Sequence, residues 1–191
     1  EAYERDLHTN LDFKKKRFSK PKEETTSVYL NNDELLKIYD CDFSKKRKLD
    51  RVRDIFLIGC YTGLRFSDLS QLKYDNIGGD GTITVKTVKT GKTVVIPIHT
   101  VVRTILAKYN NELPKMLSNQ KFNDYIKEVT KAAGIDESIF LQTTKGGLSY
   151  TETVPKYSLV TSHTARRSFA TNAFLAGVPT ISIMKITGHK T

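Results

Sequence analysis

Apolar positions recur with helical spacing along most of the chain. Leu35, Leu36 and Ile38 form a short apolar stripe after Asn31, and Glu34 three residues on completes a capping-box pattern that predicts a helix start. A longer stripe, Leu49, Val52, Ile55, Phe56, Ile58 and Cys60, predicts a buried-face helix that Gly63 terminates, and Cys60 reads as core. A short helix then runs through Leu72. The period switches to two over Thr82–Lys89, Thr90-Gly91 supplies a turn, and Lys92–Ile98 returns, which predicts a β-hairpin with Lys89 beside its turn.

Helical spacing resumes beyond the hairpin. Thr100 is a candidate cap for a helix to about Tyr109, and Ser118 for another that reaches Ala133 and stops at Gly134. Gly146-Gly147 separates two short strand-like runs, Ile139–Gln142 and Leu148–Val154. Ser162 precedes a helix from about His163 to Ala176, closed by Gly177, and Pro179 opens a last helix that ends at Gly188. The expected fold class is α+β, mainly helical with a small antiparallel β-sheet.

Charge narrows the choice of partner. Thirty-one Lys and Arg against 21 Asp and Glu leave a net charge of +10 on 191 residues. A domain this basic attracts polyanions, nucleic acid before an anionic membrane. The longest apolar run, Ile55–Cys60, is far short of the ~20 residues a membrane span needs. Cys41 and Cys60, the two cysteines, have no CxxC spacing, so neither a disulfide framework nor a zinc knuckle is written here and a cytoplasmic, nucleoid-associated setting is expected. Between Lys14 and Lys22 stand six cations and no anion: Lys14, Lys15, Lys16, Arg17, Lys20 and Lys22. Residues 1–22 read as a basic linker suited to a phosphate backbone, and 23–191 as the domain that follows.

The chemistry on offer is cationic. No Asp/Glu/His cluster has metal-ligand spacing, so no metal or other cofactor is expected. Instead Arg65 follows the long helix, Lys89 sits at the hairpin with Lys86 and Lys92 flanking it and spacing alone not choosing among them, His163 and Arg166 share one helix face at i and i+3, and His189 follows Gly188. Guanidinium groups stay charged and donate paired hydrogen bonds to phosphate oxygens, histidine moves a proton near neutrality, and a lysine on a hairpin can reach a leaving oxygen. These are parts for phosphoryl transfer without a metal.

Four motifs in order, Thr-Gly-Leu-Arg-Phe-Ser-Asp-Leu at 62–69, Lys-Thr-Gly at 89–91, Ser-His-Thr-Ala-Arg-Arg-Ser-Phe-Ala-Thr at 162–171 and Ile-Thr-Gly-His-Lys at 186–190, closely resemble the tyrosine recombinase (phage integrase) family. The resemblance extends from about Tyr29 to Thr191 and is most similar to integrases of Bacteroides-type phages and conjugative elements. It implies a catalytic set of Arg65, Lys89, His163, Arg166 and His189, with Asp68 as a supporting acid. It also implies double-stranded DNA as partner, a homotetramer on paired DNA sites, and room for an accessory DNA-bending protein.

The family's nucleophilic tyrosine is expected about nine residues past His189, where this sequence has only Lys190 and Thr191. With Glu1 in place of an initiator methionine, the chain reads as a piece of a longer protein whose core-binding domain precedes the linker, and this piece is expected not to cleave DNA. None of the nine tyrosines is taken as a substitute: Tyr61, Tyr150 and Tyr157 read as packing residues. Two rival readings are a non-catalytic DNA-binding module and an enzyme like the type IB topoisomerases.

Overall fold

The structure is a computed structural model that describes residues 4, 5, 7, 9–15, 26–110, 113–145 and 148–188. It divides into a larger unit, residues 27–140 and 153–191, and a smaller one, residues 1–26 and 141–152.

The larger unit is built around one helix. After α1 (Asn32–Asp40), α2 (Arg47–Thr62) buries Leu49, Val52, Ile55, Phe56, Leu57, Ile58 and Cys60. Apolar side chains nearly all round its second half require neighbours on every side. Those neighbours are α1, α4 (Thr100–Lys108), α5 (Asn119–Ala132) and α6 (Ser162–Leu175). α6 approaches closely at Gly59, where an added Cβ would stand 3.1 Å from the Ala165 Cβ. The short α3 (Phe66–Leu69) and the last helix, α7 (Thr180–Thr187), complete the set, and α7 packs against α6.

Strands β1 (Thr82–Lys86) and β2 (Thr93–Pro97) pair antiparallel, Ile83 opposite Ile96 and Val85 opposite Val94, which turns all four apolar side chains to the core. β3 (Ser138–Lys145) and β4 (Leu148–Pro155) form a second two-stranded sheet, so the two strand-like runs expected around Gly146-Gly147 are one longer hairpin. The α+β class with small antiparallel sheets is as expected from the sequence. Among its described residues the smaller unit has a 3-10 turn, Asp12–Lys14, with an ion pair from Lys15 to Asp12. Among the described residues no helix is long and apolar enough to cross a membrane.

Three local expectations need correction. The hairpin turn begins at Val88, so Lys89 lies within it rather than beside it. The Thr87 amide closes the turn on the Lys92 carbonyl at 2.8 Å. The cap of α4 is His99, whose Nδ1 accepts from the Val101 amide at 3.3 Å while its ring stacks on Tyr61, centroids 4.3 Å apart. The cap of α6 is Thr161, whose amide donates to the Thr164 hydroxyl at 3.0 Å, which leaves Ser162 as the first helical residue.

Two ionic clusters, each centred on a buried side chain, brace this frame. Asp54, almost fully buried, accepts from Arg53 Nε at 2.9 Å, Lys108 Nζ at 2.7 Å and the Tyr109 hydroxyl at 2.8 Å, tying α4 to α2. Burial, then the Asp54 bond, pushes the Tyr109 hydroxyl well above the ordinary tyrosine range. Lys156 donates to Glu34 at 2.7 Å and Glu137 at 3.2 Å, and Glu34 also closes the α1 capping box. The extended segment before α1 is pinned to α6 by side chains: the Leu30 amide donates to Ser168 Oγ, Asn172 Nδ2 to the Leu30 carbonyl and Arg167 Nη1 to the Val28 carbonyl, each at 2.9 Å.

Candidate active site

Three termini of helices meet around one arginine. α2 ends at Gly63, whose φ of +67° is the left-handed conformation that glycine adopts without strain. Two residues on, Arg65 stands in extended conformation at the N-cap of α3 and makes no side-chain cap bond. On α6, Arg166 is buried and donates from Nη1 to the Gly63 carbonyl at 2.8 Å and from Nη2 to the Thr187 carbonyl. Both carbonyls belong to helix C-terminal ends, where unpaired oxygens gather negative charge. Arg166 thus holds the ends of α2 and α7 together as it faces the cleft. Burial, then repulsion from Arg65, lowers its pKa to about 10, with Asp68 opposing, so it remains protonated at neutral pH.

Asp68, with no exposed surface, joins this centre to the hairpin. Its Oδ1 accepts from the Val88 amide at 2.8 Å, while Oδ2 faces Arg65 Nη1 at 3.8 Å. Among the described residues neither Oδ2 nor Nη1 has a hydrogen-bond partner, so each is a buried polar atom that faces an opposite charge. The bond to Val88 fixes the backbone next to Lys89, whose side chain is exposed.

Arg65, Arg166 and the exposed His163 open onto one cleft of about 440 Å³, lined also by Phe66, Ser67, Asn119 and Ser162. Among the described residues no carboxylate is in its lining. Two guanidinium groups, an imidazole and small hydroxyl and amide donors can hold a phosphodiester and stabilise charge on its oxygens.

Of the residues expected from the sequence, the structure brings together Arg65, His163 and Arg166, with Asp68 behind them. Lys89 does not line the cleft; it is one residue from the bond that ties the turn to Asp68. Lys14 and Lys15 lie in the smaller unit. His189, Lys16, Arg17, Lys20 and Lys22 lie outside the described residues. Neither Tyr61, Tyr150 nor Tyr157 lines the cleft. The sequence reading missed Ser67, Asn119 and Ser162. Ser67 and Ser162 stand inside quoted motifs and could have been suspected there, whereas Asn119 carries no local signal.

With this fold and this cleft in place, residues 28–191 match the phage integrase family. The chain belongs to that family. It is 30% identical over 129 residues to the tyrosine recombinase XerD of Listeria monocytogenes serotype 4b, an alignment covering 67% of this chain and 42% of that protein. Among solved structures, the integrase from mycobacterium phage Brujita matches with a TM-score of 0.62 at 19% identity, over 90% of this chain and 52% of that one. A lambda integrase dimer bound to a COC′ core site matches with a TM-score of 0.61 at 23% identity, over 89% of this chain and 47% of that one. The chain therefore spans less than half the length of the curated relative it matches.

Proposed function

We propose that this chain is the strand-transferring part of a site-specific DNA recombinase that integrates or excises a mobile element. The observation that carries the reading is the convergence of Arg65, Arg166 and His163 on a cleft whose described lining holds no carboxylate. A tyrosine hydroxyl, carried C-terminal to His189, attacks a backbone phosphorus. His163 takes its proton, and Arg65 and Arg166 hold the two non-bridging oxygens as charge grows on them. His189 hydrogen-bonds the same phosphate.

Lys89 delivers a proton to the departing deoxyribose 5′-oxygen, and a 3′-phosphotyrosyl bond remains. Because that bond keeps the energy of the phosphodiester, a 5′-hydroxyl from a second strand attacks it, the tyrosine leaves, and the strand is rejoined without ATP. Asp68 places both Arg65 and the turn that bears Lys89. Neither a metal nor another cofactor enters any step. The cations between Lys14 and Lys22 contact the DNA backbone, and four copies act on two DNA sites, with an accessory DNA-bending protein as a further partner.

The test is covalent capture of a nicked attachment-site duplex in EDTA by the protein extended through its nucleophile. Capture is expected to vanish with Arg65→Ala or Arg166→Ala and to persist without metal. Capture unchanged by loss of either arginine overturns the reading.

A further inference from the structure

One part of the cleft lining has no task in this chemistry. Asn119 and Asn123 stand one turn apart on α5, and both meet Ser162, the first residue of α6. Asn123 Oδ1 accepts the Ser162 amide at 2.8 Å, and Asn119 Oδ1 accepts the Ser162 hydroxyl at 2.8 Å. The amide of a first helical residue has no partner within its own helix, so Asn123 alone supplies the cap that α5 gives α6. Asn119 adds nothing to that cap.

What Asn119 does have is an oriented amide. With Oδ1 committed to Ser162, its NH2 is turned the other way and makes no hydrogen bond to a described residue, although Asn119 is exposed and lines the cleft beside Arg65, His163 and Arg166. It is a neutral donor fixed at its acceptor end. A cleft of about 440 Å³ falls in the range that encloses molecules much larger than one phosphate group, so a strand seated on the two arginines brings more of its backbone into the same space.

We propose that the Asn119 NH2 binds a second DNA backbone phosphate, next to the one held by Arg65 and Arg166. The inference rests on the proposed function. A neutral donor suits a phosphate that does not react: it develops no new charge, so the contact sets the position of the strand and its affinity rather than the rate of the step.

Asparagine and aspartate separate this from a purely structural role. Asn119→Asp keeps an acceptor for the Ser162 hydroxyl and replaces the donor with a charge that repels phosphate, whereas Asn119→Ala removes both halves. The measurement is fluorescence anisotropy of a mixed-sequence 20-base-pair duplex at low salt, with each variant's melting temperature recorded. N119D is expected to weaken binding at least about fivefold and more than N119A does. Gln120→Glu, which adds the same charge one residue away and outside the cleft lining, is expected to change it less than about twofold.

If N119D binds like the unaltered protein and N119A binds worse, the asparagine only braces α6 and the inference is overturned. Equal losses in N119D and Q120E overturn it as well. Arg65→Gln, measured alongside, distinguishes the two levels of failure. Loss with R65Q but none with N119D removes only the second phosphate, and no loss with either removes the cleft as the DNA site.

Discussion

Gly63→Ala tests the junction on which the cleft is built. Gly63 has a φ of +67°, and an alanine in that left-handed region costs about 1–2 kcal/mol. The added methyl meets a second obstacle: an ideal Cβ stands 2.5 Å from Phe169 Cδ1 and 2.9 Å from Cε1, so the ring on α6 must move. Forcing a packed side chain aside costs about 1–3 kcal/mol. Together the two effects predict a loss of about 2–5 kcal/mol, or ~4–20 °C in melting temperature at ~2–4 °C per kcal/mol for a domain of this size.

Gly134→Ala supplies the reference, because Gly134 follows α5 with a φ of +71° and has nothing within 4 Å of an added Cβ. That variant should lose only the backbone part, about 1–2 kcal/mol. Urea and thermal unfolding of both, with Phe169→Leu added to Gly63→Ala to relieve the contact, separate strain from collision. If G63A is no less stable than G134A, or if F169L restores nothing, the contact between α2 and α6 is not as described.

Asp68→Ala strips the Val88 amide of its acceptor and should destabilise by about 1.5–3 kcal/mol, whereas Asp68→Asn keeps an acceptor. Hydrogen exchange at Val88 should rise at least tenfold in D68A alone; equal exchange in the two variants contradicts the bond. Tyr109, with its pKa raised in the folded protein, keeps its proton after the unfolded chain begins to lose its own near pH 10, so its contribution to stability is complete below about pH 10 and falls above it. The stability gap between the unaltered protein and Tyr109→Phe should therefore narrow from pH 8 to pH 10.5, and a gap independent of pH refutes the sign. The 191-residue chain should bind duplex DNA without forming a covalent adduct. Replacing Lys14, Lys15, Lys16, Arg17, Lys20 and Lys22 by Gln should flatten the salt dependence by about 0.9 log unit for every phosphate the linker neutralises, and an unchanged slope means that the linker does not touch DNA.

Local codes were readable in the sequence. The Asn31 and Glu34 capping box, the glycine stop at Gly63 and the shared face of His163 and Arg166 each depend on residues within a turn or two of one another. What stayed hidden depends on partners far along the chain. The reach of Arg166 to the Gly63 and Thr187 carbonyls, the bond from Asp68 to Val88 and the meeting of Asn119 with Ser162 are set by how helices pack, which periodicity alone does not specify. The capping errors have a similar origin. Thr100 has the better intrinsic preference, but stacking on Tyr61 fixes the His99 ring where its Nδ1 can accept the Val101 amide.

Asp68 has one oxygen on the hairpin and the other turned to a guanidinium, which couples the hold on the turn to the placing of Arg65. An anion that draws Arg65 toward itself changes the field at the carboxylate, and with it the strength with which the turn is held. Reciprocity then requires that release of the turn alter the affinity of Arg65 for that anion by the same factor. A side chain with no exposed surface thereby links the cleft to a loop that does not line it.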